Sequence, residues 1–267
     1  AIANEEKNIA NEIIELEKVI ESQYITRSIS TRADELTTQA KNLNNQNLLA
    51  SKLSNLSLQL YGLFLKKGYV KNASEHDKVT NYFKERLPLY KIHELGFREK
   101  LWLYKSYLWY SFLIQDFLAC YKYSKKWVNL FDEYPTMIRL NPVFFLNGSQ
   151  NLLEALFFIK RHDKFTEALS DLIAVSNRDW FPKDDNVQSI AFLCIESNRL
   201  NAHFMEGSFK EGLPLVPEIL EGLQRHKSRI DEHHVMVFYY KIASLYFGVG
   251  DYHNSIEFLK KIINNIR

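Results

Sequence analysis

An all-α fold, a right-handed α-α superhelix of about six stacked helical hairpins, is predicted by three observations. The first is a phrase that returns along the chain: Gln23-Tyr24, Gly68-Tyr69, Asp116-Phe117, Lys164-Phe165, Ser208-Phe209 and Asp251-Tyr252, with its aromatic residues stepping by 45, 48, 48, 44 and 43 positions. Steps of that size are the period of an array of helical hairpins. The second is a helix-period apolar stretch ahead of the phrase. The third is punctuation: 9 Gly and 6 Pro in 267 residues with 46% hydrophobic content suit long helices, and are too few for a loop-rich sandwich or a Gly-dependent nucleotide fold.

Taken in order, the hairpins are expected at about 4–44, 47–94, 97–134, 141–177, 184–227 and 229–266, as one solenoid domain. The apolar stripes that define first helices are Leu53, Leu56, Leu60, Leu63 and Phe64; Leu101, Tyr104, Leu108 and Phe112; Leu152, Leu153, Leu156 and Ile159; and Phe238, Tyr239, Ile242, Ala243 and Tyr246. Residues three and four apart share a helix face, so each set makes one wide apolar side. Second helices start at side chains able to cap them: Ser208 with Glu211 reads as a capping box, and Asp163 and Asp251 stand where an oxygen can accept from free amides. Pro142 suits the first turn of a helix, and Pro135 and Pro182 suit links. Pro88, Pro214 and Pro217 remove a donor inside second helices, which predicts irregular backbone near Leu87 and Leu213.

These units resemble the tetratricopeptide repeat. The last unit carries the likeness best, through Ala243, Tyr246, Gly250, Asp251, Tyr252, Ser255, Leu259 and Ile262, with Ser255 in place of the usual small alanine. The unit around Phe165 offers Leu156, Ile159, Phe165, Ala168 and Leu172, and that around Phe117 offers Leu108, Phe117, Cys120 and Trp127. The family's period is about 34 residues, so longer helices or wider links are expected here. HEAT-type repeats, which share the longer period, are the structural alternative.

The resemblance implies a binding groove on the first helices. Counted back from each recurring aromatic, its positions are Ser54, Ser57, Tyr61 and Phe64; Trp102, Lys105, Trp109 and Phe112; Gln150, Leu153, Phe157 and Lys160; Cys194, Ser197, Asn201 and Phe204; and Val237, Tyr240, Ser244 and Phe247. The expected peptide-binding wall is aromatic and centred on Trp102 and Trp109, with Lys105 and Lys160 as cations for a carboxylate or an acidic peptide. Rings at helical spacing also suit packing between hairpins.

Charge and chemistry narrow the function. With 34 basic and 32 acidic residues the chain has no general attraction for polyanions, and no apolar run reaches the roughly 20 residues that span a bilayer. Cys120 and Cys194 are too few for a disulfide framework, which favours a reducing cytoplasm unless a leader has been removed. His226, Asp231, Glu232, His233 and His234 lack metal-ligand spacing, Arg225 to Arg229 is a solvated basic link, and no phosphate loop or nucleophile elbow occurs. Ile262, Ile263 and Ile266 form an apolar stripe with no repeat beyond Arg267; solenoids normally end in a polar cap, so further chain, a partner or self-association is expected to cover it.

The expectation is a non-enzymatic protein- or peptide-binding scaffold without catalytic residues, cofactor or metal, and without nucleic-acid binding or membrane insertion. The alternatives are a ligand-sensing module controlling an effector domain outside this chain and, behind it, an enzyme or nucleic-acid binder on a helical frame.

Overall fold

The computed structural model describes residues 7–23 and 31–265. Tyr24, Ile266 and Arg267 lie outside the described residues, and with them the first recurring phrase and part of the C-terminal stripe. Helices and turns make up the described residues, among which no strand occurs. Two compact units divide the chain, residues 1–136 and 137–267.

Unit 1 holds α1 (Lys7–Gln23), α2 (Arg32–Lys67), α3 (Ala73–Arg86), α4 (Phe97–Leu113) and α5 (Phe117–Glu133), with one turn of 3₁₀ helix at Ile92–Glu94. α2 packs against α1 along one half and α4 along the other, while α4 also meets α3 and α5. The break expected at 44–47 is absent, because α2 runs unbroken for 36 residues. The Asn44, Asn45 and Asn47 found there each cost a helix under about 0.7 kcal/mol. The apolar period runs through them instead: Leu36, Ala40, Leu43, Ala50, Leu53, Leu56 and Leu60 are all buried.

The short α6 (Thr136–Leu140) begins at the boundary, and unit 2 goes on with α7 (Pro142–Phe158), α8 (His162–Ser176), α9 (Asp185–Glu206), α10 (Phe209–Gly212), α11 (Leu215–Arg225), α12 (Glu232–Val249) and α13 (Tyr252–Asn265). α9 packs on α7 and α8 on one side, and on α10, α11 and α12 on the other. Consecutive hairpins thus share an apolar seam, with Leu200, Val216, Ile219, Phe238, Ile242 and Leu245 in one cluster. The prolines act as their positions imply: Pro142 opens α7, α3 stops at Arg86 with Leu87 extended, and Pro214 separates α10 from α11.

One turn recurs in four hairpins. The amides of Asp116, Arg161, Ser208 and Asp251 donate back to the carbonyls of Ser111, Leu156, His203 and Tyr246 at 2.9 to 3.1 Å. The residue before each amide is left-handed: Gln115 (φ 61°), Lys160 (55°), Gly207 (72°) and Gly250 (86°). This is the Schellman ending, which satisfies the last carbonyls of one helix and reverses the chain into the next. Asp116 and Asp251 then cap the following helix by accepting from the amides of Ala119 and Asn254. The expected capping box at Ser208 does not form; its hydroxyl instead meets His203 Nδ1 at 2.8 Å and donates to Glu206 at 2.9 Å. Asp163 lies inside the first turn of α8, paired with Arg161.

The turns also correct the repeat register. Phe117, Phe209 and Tyr252 each begin a helix, but the residue that begins α8 is His162, three positions before Phe165. Phe165 is a fully buried side chain one turn further on. Positions on α7 counted back from Phe165 are therefore three residues too far along.

Candidate functional site

In unit 2 the three first helices α7, α9 and α12 line one open cleft of about 670 Å³. Counting back from His162 in place of Phe165 selects Asn147, Gln150, Glu154 and Phe157, and all four line it. Cys194, Ser197 and Asn201 of α9 and Val237 of α12 join them as the groove positions place them. Of the two misregistered positions, Leu153 is wholly buried and Lys160 occupies the exposed α7–α8 turn.

A polar chain crosses the floor. Asn198 Nδ2 donates to Gln150 Oε1 at 2.7 Å and to the Cys194 carbonyl at 2.8 Å, and Asn201 Nδ2 donates to Asn198 Oδ1 at 3.1 Å. Lys241 completes it: Nζ donates to Asn201 Oδ1 at 2.8 Å, to the Ser197 carbonyl at 3.2 Å and to the Ser197 hydroxyl. All three acceptors are neutral oxygens, so the ammonium's three donors are used without touching a carboxylate. Burial pushes the Lys241 amine down to about 8, with Glu154 and Cys194 partly opposing the shift. Burial likewise raises the Glu154 carboxyl, which Lys241 partly offsets. The two ends of this arrangement are thus half-buried titratable groups that make no contact with each other.

The Cys194 thiol is buried and pushed up to about 12 by that burial. A thiol in that condition is protonated at neutral pH and a poor nucleophile. At the rim, Asp231 caps α12 through the His234 amide at 2.9 Å and also meets His234 Nδ1 at 2.7 Å, beside Arg229 and His233. Among the described residues no group of three or more His, Cys, Asp or Glu side chains is placed to hold a metal ion.

The remaining expected groove residues behave differently. In unit 1, Tyr61, Phe64 and Phe112 surround Trp109 at ring-centroid distances of 4.6, 5.7 and 5.8 Å, and Phe112 is buried. These rings pack on one another, and Phe64 and Trp109 also pack on the cluster of Leu56, Leu60 and Leu113. Phe112 therefore belongs to the core and not to an open wall, since it stands where the end of α4 meets α2. Lys105 is half-buried, its ammonium 4.9 Å from the centre of Trp102 and 5.7 Å from that of Trp127. Burial lowers this amine too. In unit 2, Phe204 packs on Phe209 beside the core, whereas Tyr240 and Phe247 are 62% and 65% exposed. A second, smaller cleft in unit 1 runs between α2 and α3, with Leu63, Val79 and Leu113 below and Lys66, Lys67 and Lys78 around it.

Glu154 and Lys241 were missed by sequence reasoning. Glu154 falls on the groove only after the three-residue correction, and nothing in the residue type of Lys160 announces a left-handed turn. Lys241 is one residue from the groove position Tyr240; an isolated lysine inside Phe238 to Tyr246 was the available signal.

No family model, no curated protein and no solved structure matches this chain. No helix among the described residues is long and apolar enough to cross a membrane.

Proposed function

We propose that the chain is a non-enzymatic peptide- or protein-binding scaffold of tetratricopeptide-like character, with hairpins arranged as a superhelix whose first helices face the ligand. One observation carries this reading: three successive first helices contribute the equivalent positions Asn147, Cys194 and Val237 to a single open cleft, which Gln150, Phe157, Ser197 and Asn201 also line. Amide and hydroxyl groups on a rigid helical wall suit the hydrogen-bonding groups of an extended backbone, and Phe157 offers the rigid anchor that peptide grooves use. The inert state of Cys194 favours binding over covalent chemistry at that thiol.

Selection of random displayed peptides against the purified chain tests the reading. Enriched peptides are expected to lose at least tenfold in affinity with Phe157→Ala and to be indifferent to Glu257→Ala on exposed α13. A selection that enriches nothing, or binders insensitive to Phe157, overturns it.

A further inference from the structure

Two charged side chains in the cleft of unit 2 have no ionic partner in contact. Lys241 on α12 is held by neutral oxygens of Ser197 and Asn201 only. Lys241 is the one charge that acts on the Glu154 carboxyl of α7, yet its ammonium hydrogen-bonds only Ser197 and Asn201, and no contact joins the two side chains among the described residues. Both face the same space. Withdrawing an ion from water is costly unless it meets a counter-charge at close range. A protein meeting only its own stability needs would bring the pair together or replace it by apolar residues. Here the carboxylate and ammonium stand on opposite helices of an open groove, with the polar chain of Gln150, Asn198 and Asn201 between them.

We infer that Glu154 and Lys241 form a receptor for a ligand carrying both charges, an ammonium that meets Glu154 and a carboxylate that meets Lys241. Each ligand end then supplies the counter-charge that its receptor side chain lacks. The ligand carboxylate takes the place of the Asn201 carbonyl on Lys241, and the freed amide turns to the ligand backbone. The free ends of a short peptide carry this chemistry, as do a lysine and a glutamate side chain within a longer one. This assignment deepens the peptide-binding reading and rests on it.

Binding of the alanine series from di- to pentapeptide to the full chain, measured by calorimetry and by thermal shift, tests the assignment. At least one length is expected to bind saturably. Acetylating its amine and amidating its carboxylate should each weaken it at least tenfold. Glu154→Gln should abolish the effect of acetylation alone, and Lys241→Met that of amidation alone, a cross-over that a merely structural role would not produce. A blocked peptide acetyl-Ala-Lys-Ala-Glu-Ala-amide that binds in place of the alanine series assigns the side-chain source. Because blocked and free ligands are compared on the unaltered protein, the result stands even where a variant fails to fold. If displayed peptides bind through Phe157 with no dependence on either charge, the charge-pair assignment is overturned and the scaffold reading survives; if neither class binds, both fall.

Discussion

Replacing Lys241 with Met removes the buried amine while keeping the length of the side chain, and its effect on stability should depend strongly on pH. The amine's ordinary value is 10.5 and folding pushes it down to about 8. Below about pH 8 the folded and unfolded chains both hold the proton, so the full cost of burying the charge, roughly 3 kcal/mol, is present. Between about pH 8 and 10.5 the folded chain releases the proton while the unfolded chain keeps it; the unfolded state binds more protons, and stability rises with pH. From pH 7 to pH 9.5 the gain is about 2 kcal/mol. Cys194 acts in the opposite sense above its ordinary 9.0, because the folded thiol stays protonated to about 12. That effect is common to both proteins, so their difference isolates Lys241. Urea unfolding followed by circular dichroism, at pH 7 and 9.5 and at fixed ionic strength, should show wild type gaining about 2 kcal/mol on Lys241→Met over this interval. Parallel changes, within about 0.5 kcal/mol, would refute the claim that the ammonium is buried without a counter-charge.

Other perturbations follow from packing and backbone. Leu60→Ala and Leu156→Ala remove wholly buried side chains, at 0% and 1% exposure, and should each cost about 2 to 5 kcal/mol in urea unfolding. Gly222→Ala would set a methyl group 2.1 Å from Phe192 Cε2, so a loss of about 1 to 3 kcal/mol is expected as the ring is displaced. Lys160→Gly relieves a left-handed side-chain-bearing residue and should raise the thermal midpoint, the gain being about 0.5 to 1 kcal/mol. Trp109→Ala should cost about 3 kcal/mol of stability, since the indole is packed among Tyr61, Phe64 and Phe112; an unchanged urea midpoint would return it to the surface.

The hairpin pattern was legible because its signals are local. Periodic apolar residues and capping side chains act within a few turns of helix, and the starts of α5 at Phe117, α10 at Phe209 and α13 at Tyr252 are where the repeated phrase puts them. Prolines 142, 88 and 214 likewise act on their own neighbourhood, through a missing donor and a fixed φ. The errors arose where a residue type and its backbone role part company. A boundary between hairpins is expected at 44–47, yet the seam of α2 against α1 and α4 carries the helix through it. Phe165 looks like its counterparts Phe117 and Phe209, but the turn before it ends at Arg161 and makes Phe165 a core residue.

What the sequence by itself determined was the kind of object: helices of this length, joined by tight turns at a period in the mid-forties, each with one face that must be covered by a neighbour. Which face met which neighbour was decided only in three dimensions. Lysine and glutamate take on unusual chemistry through what surrounds them rather than through what precedes them in the chain, and no local pattern encodes their burial. The meeting of Glu154 from α7 with Lys241 from α12 around one cleft, across 87 positions of sequence, is therefore a property of packed helices alone.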